Sequence, residues 1–477
     1  KSAHLLTCAL FIGSLIIGLL TTTICSVPVH INTPTSQQKF SQQMLMSFIR
    51  RKIDNARNLV AVWNPLNSRG NNCNFDIRLI FVLILSVYTT TVSMSSHEQT
   101  MAQREFASKS TEFAMKLFNF MHNKDPTKNI IYSPFSIQTC VGMARIGAVG
   151  ETAAELDRGL GLPSNDVTAI ANSFHNVLDT YKDSPILMMA NKIYVKQGYS
   201  IKKEFNEIAS AKFFSSADSI NFGDSTNAAN TINKWIESKT NNIIKDLITP
   251  DAVTDDTRVV LVNAIYFKGE WKYQFPDYAT FDDDFYLNEV DKVQVPMMNV
   301  KEKFGYGVIS ELDATVLEMP YKDSDLSMVV ILPNSRTGLA SLQEKLKDFN
   351  LSDITQHLQE TKVIVKFPKF KAEYNIELND ALKNLGMGRM FSNNAEFDNM
   401  LESHEPLQVS KVVHKAYIEV NEVGTEAAGA SAVLVSRITS VGAPEPLPRK
   451  FIADRPFAYI IKNKANIILF AGQKVRK

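Results

Sequence analysis

The sequence predicts a mixed α+β fold in one large domain that fills most of the chain. Strand-like runs rich in β-branched and aromatic residues recur through it, among them RVVLVNAIYF, LSMVVILP, KVIVKFPKF, KAYIEV and NIILFAG. Helical segments lie between them without the regular alternation of parallel βαβ units. From Met101 to Lys477 neither an internal repeat nor a Pro/Gly/Ser-rich linker divides the chain. We therefore expect residues 101–477 to form a single domain, and residues 1–100 to hold leader-like apolar segments and disordered linker.

The composition agrees: 45% of the 477 residues are hydrophobic and 21% charged, ample for a large core. Lysine plus arginine number 51 against 50 acidic residues, so no global field favours nucleic acid or an anionic membrane. The cysteines are Cys8, Cys25, Cys73 and Cys140; with one of them beyond position 100, the domain cannot rest on a disulfide framework.

Leu5 to Leu20 (LLTCALFIGSLIIGLL) follows Lys1 and His4 and precedes the small, polar TTTICS. This is the charged, apolar and small-residue order of a secretory leader, short for a membrane span, so we expect an extracellular protein. A second run from Ile77, IRLIFVLILSVYTTTVS, repeats the pattern behind Arg78. Which run serves as leader, and where the natural start codon lies, the residues leave open. Between the runs, Val27 to Asn74 has no clear periodicity and reads as linker.

The domain opens with REFASKSTEFAMKLFNFMH, whose Phe106, Phe113, Leu117 and Phe120 recur mostly at three- and four-residue steps and predict an amphipathic helix. A second helical segment is expected over TNAANTINKWIESKTNNIIKDLI, and the strand-like runs follow. The catalytic signatures are missing: the sequence contains no G-x-G-x-x-G, P-loop, H-E-x-x-H, C-x-x-C or G-x-S-x-G, and its eight histidines show no metal-ligand spacing. Ser133 or Ser136, Asn263 and His414 could be imagined as a nucleophilic set. Beside core strands, such residues more often satisfy one another as buried hydrogen-bond partners. We expect no enzyme, no cofactor and no metal.

One stretch stands apart. Gly424 to Ser440, GTEAAGASAVLVSRITS, carries one charge, Glu426, before Arg437, and is otherwise mostly small and β-branched. Alone it reads as a mobile linker or a short alanine-rich helix. Its neighbours, HKAYIEVNEV and FIADRPF, are built like core strands.

Four long motifs carry a resemblance: NIIYSPFSIQTCVGMARIGAVGETAAEL (Asn129 to Leu156), VLVNAIYFKGEWKYQF (Val260 to Phe275), VSKVVHKAYIEVNEVGTEAAGASA and FIADRPFAYIIKNKANIILFAG. Together they resemble the serpin family from Ser110 to the C-terminus. The resemblance implies three β-sheets surrounded by eight or nine helices, with Gly424 to Ser440 as an exposed reactive-centre loop. Most members inhibit serine proteases by suicide, some inhibit cysteine proteases, and a minority inhibit nothing. The partner it implies is a serine protease held as a covalent acyl-enzyme by a monomeric inhibitor. In that mechanism the cleaved loop enters the central sheet as a new strand.

The loop can be tested against that demand. From Thr425 one face carries Thr425, Ala427, Gly429, Ser431, Val433 and Val435; the other carries Glu426, Ala428, Ala430, Ala432, Leu434 and Ser436. The first can turn inward without burying a carboxylate, and no proline interrupts Gly424 to Gly442. The hinge is thus Glu422, Gly424, Thr425, Glu426, Ala427 and Ala428, with Gly424 supplying freedom to move and Val423 replacing a glutamate common in the family. Arginine suits a protease pocket with a buried carboxylate, which favours cleavage at Arg437-Ile438 and a trypsin-like target. Family spacing from Gly424 favours Ile438-Thr439 instead.

The resemblance also makes Ser133, Ser136, Asn263 and His414 a hydrogen-bonded shutter under the opening of the central sheet. It makes Trp271 the tryptophan at the top of that sheet. Arg455 stands where the family often has histidine. Heparin activation through an early helix is not expected, because in DVTAIANSFHNVLDTYKDS acidic residues outnumber the one lysine. Asn350 begins the single N-x-S/T sequon, a candidate glycosylation site. The alternative function is a non-inhibitory member acting as carrier, storage protein or chaperone.

Overall fold

The computed structural model describes residues 77–162, 164–402, 405–424 and 447–477, with residues 77–100 and Ser352 given by backbone alone. Contacts divide the chain into Lys1–Thr90 and Thr91–Lys477; in the first unit only the beginning of one helix is described. That helix, α1, spans Ile77–Lys124, so the second apolar run is helical in its backbone. No described helix is long and apolar enough to cross a membrane.

In the second unit α1 is followed by β1 (Ile130–Tyr132), α2 (Pro134–Gly147), α3 (Gly150–Leu160), α4 (Val167–Tyr181), β2 (Leu187–Lys196), α5 (Lys203–Phe213), β3 (Ala217–Ile220) and α6 (Ser225–Lys239). Next come β4 (Val259–Phe267), β5 (Phe281–Tyr286), β6 (Lys292–Ile309), β7 (Ala314–Pro320), β8 (Leu326–Pro333), α7 (Leu339–Leu346), β9 (Gln359–Pro368) and β10 (Phe370–Glu377). The chain closes with α8 (Asn379–Asn384), β11 (Val409–Val420), β12 (Arg449–Ile452), β13 (Phe457–Asn463) and β14 (Ile468–Lys474). Eight α-helices thus lie among the described residues.

The strands form a five-stranded sheet, ordered β10-β11-β4-β2-β3, and a nine-stranded one. Where three sheets were expected, the second and third share one continuous strand. β6, 18 residues long, pairs with β5 and β9 along its first part and with β7 from Gly305 to Ile309.

Burial explains why these runs become strands. Every residue of β4, β8, β13 and β14 is buried, as expected of strands covered on both faces. In the five-stranded sheet Leu261, Ile265, Phe267, Val412, Ala416 and Ile418 face the main core, where Phe106, Phe113 and Leu117 of α1 also lie, with Phe120 partly buried against it. The opposite face, with Val260, Val262 and Tyr266, packs against Ile232 and Ile236 of α6.

α6 departs from the expected extent. It ends at Lys239, and NNIIKDLI is not helical, because Asn241, Asn242 and Asp246 take positive φ angles of 50°, 59° and 49°. Asparagine and aspartate tolerate this left-handed region better than most residues. The Asn233 carboxamide then fixes the segment, donating to the Ile248 carbonyl at 2.9 Å and accepting from its N–H at 3.1 Å.

Candidate functional site

β11 and β4 lie side by side and parallel, in register from Lys411↔Val260 to Ile418↔Phe267, after a shift of one residue that follows Val409↔Val259. β4 is antiparallel to β2 on its other side. One transverse row crosses all three strands: His414 pairs with Asn263, and Asn263 with Asn191. Three polar residues in a row on buried strands require partners, and α2 supplies them. Ser133 is the N-cap of that helix, with Pro134 in its first turn, and its Oγ accepts the Ser136 N–H at 3.1 Å.

The row and the cap interlock. The Ser133 N–H donates to His414 Nε2 at 3.1 Å. Because Nε2 accepts, the ring proton sits on Nδ1 and is donated to Asn263 Oδ1. Asn263 Nδ2 donates to the Ser136 carbonyl at 3.1 Å, to Ser136 Oγ at 2.5 Å and to Asn191 Oδ1. Ser136 Oγ donates to Asn191 Oδ1 at 3.3 Å. Ser133, Ser136, Asn263 and His414 are wholly buried.

Burial pushes the His414 imidazole down to about 3, so it is neutral at physiological pH. Its acceptor nitrogen is held by a backbone N–H and not by a hydroxyl, an arrangement that ties strands together and activates no nucleophile. Asn191 is the member sequence reasoning missed. Its signal was a carboxamide in the otherwise β-rich run LMMANKIYVK.

Beyond the end of β11 the chain is pinned over residues 421–424. The Trp271 N–H donates to the Val423 carbonyl at 2.8 Å, and the Phe275 N–H to the Glu422 carbonyl at 2.9 Å. The Trp271 indole stacks on Tyr321, centroids 4.6 Å apart, and donates through Nε1 to the Asn421 carbonyl at 3.0 Å. Asn421 Oδ1 accepts the N–H groups of Val423 and Gly424, both at 3.1 Å.

Glu422 is buried, accepting from Thr280 Oγ1 at 2.9 Å and from Lys369 Nζ at 2.8 Å. Burial opposes its ionisation, but the bonds from Lys369, the backbone and Thr280 outweigh it and hold the carboxyl below its ordinary value.

Gly424 forms a bridge with Glu270. A Cβ there would lie 2.1 Å from the Gly269 carbonyl oxygen and 2.5 Å from the Glu270 Cα. In this conformation the glycine is required by close approach of two backbones, a demand separate from the freedom of movement expected of it as a hinge. Thr425, Glu426, Ala427, Ala428, Arg437, Ile438 and Thr439 lie outside the described residues.

Away from the sheet, Asn350 is exposed, and its carbonyl accepts the Asp353 N–H at 2.9 Å. Arg455 donates to the Pro333 carbonyl at 2.8 Å and pairs with Asp454 at 2.7 Å, so it has partners of its own. Cys140 is buried and free. Among the described residues no group of three or more His, Cys, Asp or Glu could hold a metal ion.

Residues 108–476 match the family described as "Serpin (serine protease inhibitor)". The chain is a serpin. Over 363 residues it is 37% identical to an antitrypsin of Bombyx mori, covering 76% of this chain and 91% of that protein. Alaserpin of Manduca sexta is also 37% identical, with 76% and 92% covered. Among solved structures, cleaved Serpin 42Da superposes with a TM-score of 0.72 at 47% identity, covering 79% of this serpin and 99% of that chain. The fold is the α+β serpin fold, in a family of protease inhibitors.

Proposed function

We propose that this serpin is a secreted, monomeric suicide inhibitor of a serine endopeptidase of trypsin-like specificity. The observation that carries the reading is the parallel pairing of β11 with β4, next to a chain that leaves the end of β11 through Gly424. A segment folding back from Gly424 runs antiparallel to β11. Because β4 is parallel to β11, the same segment is antiparallel to β4 as well. Insertion therefore exchanges one parallel ladder of nine residue pairs for two antiparallel ladders, the slightly more stable kind.

In this mechanism the protease serine attacks the Arg437 carbonyl. The bond to Ile438 breaks, an ester to the protease forms, and Ile438 leaves as a new amino terminus. The strand then carries the acylated protease with it before water can hydrolyse the ester. Roughly ten new ladder bonds at about 1 kcal/mol each give about 10 kcal/mol, comparable to the 5–15 kcal/mol that holds a protease folded. Between β4 and β11 the strand must part His414 from Asn263, so the buried polar cluster is the latch on its path.

Incubation with trypsin tests the reading. An SDS-stable complex near the summed mass is expected, with a released C-terminal peptide beginning at Ile438. A peptide beginning at Thr439 would move the bond and the specificity. Clean cleavage with no complex would overturn inhibition in favour of a carrier or storage role. Thr425→Arg should turn the inhibitor into a substrate; an unchanged inhibition rate in that variant would sink the insertion step.

A further inference from the structure

Tyr278 is the one exposed tyrosine among those whose side chains are described, with 78% of its surface open to solvent. It stands in the middle of a single tight turn, Asp277–Ala279, that Pro276 opens with its fixed φ of −67°. The Ala279 N–H closes the turn on the Pro276 carbonyl at 2.9 Å, and the Thr280 N–H bonds to the Asp277 carbonyl at 3.2 Å. Asn299 Nδ2 donates to the Ala279 carbonyl at 2.8 Å. The backbone is thus held in place, while the phenol makes no hydrogen bond with a described residue.

The chain on either side is acidic. Asp277 precedes the tyrosine directly, and Asp282, Asp283 and Asp284 follow in β5. Lys366 pairs with Asp283 at 2.7 Å and Lys292 with Asp284 at 2.6 Å. Asp277 and Asp282 are exposed and form no ion pair with a described residue. β5 has a partner strand, β6, on one side alone. An enzyme can therefore lie along the open side of β5 and reach the phenol without disturbing the sheet.

We propose that Tyr278 is a tyrosine O-sulfation site. The donor of a sulfuryl group is a nucleotide phosphosulfate, itself polyanionic, so an enzyme that holds it has a basic cleft, and that cleft draws in an acidic segment. The phenolic oxygen attacks the donor's sulfur, and the bond from sulfur to the bridging oxygen breaks. The nucleotide leaves with that oxygen, and the phenolic proton passes to a base of the transferase. The product is an aryl sulfate ester with one fixed negative charge.

Glu422 places this charge in the molecule. Its carbonyl accepts the Phe275 N–H at 2.9 Å and its carboxylate accepts Thr280 Oγ1 at 2.9 Å, so it braces both ends of the stretch that carries Tyr278. The sulfate would stand beside the segment leading into Gly424, where Lys369 is already paired with Glu422 at 2.8 Å. The proposal rests on the secretory reading, because proteins receive this group on the secretory route.

The purified full-length protein, a tyrosylprotein sulfotransferase and a labelled phosphosulfate donor provide the test. One label per chain is expected, on the peptide holding Tyr278, and none in Tyr278→Phe. Asp277→Asn/Asp282→Asn should slow the transfer about tenfold, the lower end of what charge steering gives. Glu311→Gln/Asp348→Asn removes the same charge from exposed positions on other segments and should be labelled as the parent is. Absence of label, label confined to another tyrosine, or equal rates in the two double variants would overturn the proposal. Protein secreted by cells expressing the full chain should be heavier by one SO3 group, lost on collisional activation and resistant to phosphatase. An unmodified secreted chain, or a phosphatase-sensitive group, would overturn it as well. A chain retained inside the cells counts against secretion instead, and labelling of the purified protein then decides Tyr278 on its own. Unchanged far-UV circular dichroism and thermal unfolding confirm that the variants are folded.

Discussion

Acidification should loosen the central sheet through His414. In the fold its imidazole is neutral and titrates near 3, against an ordinary value of 6.5 in the unfolded chain. The unfolded state therefore binds the proton first, and stability falls as pH drops below 6.5, levelling off only below about 3. At about 1.4 kcal/mol per unit, the loss is of order 2 kcal/mol at pH 5 and of order 5 kcal/mol when complete. The physical source is burial, which withholds water from the charged ring; a protonated Nε2 would in addition meet the Ser133 N–H, donor against donor.

Urea unfolding at pH 7.5, 6 and 5, on the parent and on His414→Gln, isolates this contribution. Other groups, such as half-buried His122, titrate in both proteins and cancel. The parent should lose about 2 kcal/mol more than the variant between pH 7.5 and 5, and nothing extra above pH 7. Parallel profiles, or a His414 ring-proton resonance titrating near 6.5, would refute the reasoning.

Two further outcomes concern the segment just after β11. Glu422→Gln removes the ion pair to Lys369 but keeps an acceptor for Thr280, so a loss of about 1 kcal/mol is expected at neutral pH. Because the Glu422 carboxyl is held below 4.5, that difference is present above 4.5 and fades as pH falls through its folded value; equal stabilities at pH 7 count against it. Gly424→Ala drives a methyl against two backbone atoms, so the bridge to Glu270 must open at a cost of about 1–3 kcal/mol. Limited proteolysis of the uncleaved protein should then cut after residue 424 faster, and an unchanged rate would show that the bridge does not restrain the chain that follows it.

What was legible in the sequence depended on how local the signal was. β4 and β8 announced themselves because strands buried on both faces are apolar along nearly their whole length, each with a single polar residue, Asn263 or Ser327. The helical face of α1 over Phe106, Phe113 and Leu117 followed from spacing. The end of α6 was misjudged because NNIIKDLI keeps helix-like spacing, while two consecutive asparagines bend the backbone out of the helix. Ser133, Ser136, Asn263 and His414 could be singled out as polar residues beside core strands. Their wiring could not be read, since it depends on strand register, and register also brought in Asn191. The close approach at Gly424 could not be read for a similar reason: what it touches, Gly269 and Glu270, lies on a distant segment.

The transverse row of Asn191, Asn263 and His414 limits how this sheet can deform. Shifting β4 by one residue relative to its neighbours would turn Asn263 toward α6 and bring an aliphatic side chain under the α2 cap. Every bond that Asn263 makes, to His414, Asn191 and Ser136, would be lost together. Sliding is thus blocked as a pawl blocks a ratchet, whereas sideways parting of β11 from β4 breaks only the contact between His414 and Asn263 within that row. The cluster leaves one soft direction, separation of the strands without slippage, and so preserves the alignment of the two edges while a gap opens between them.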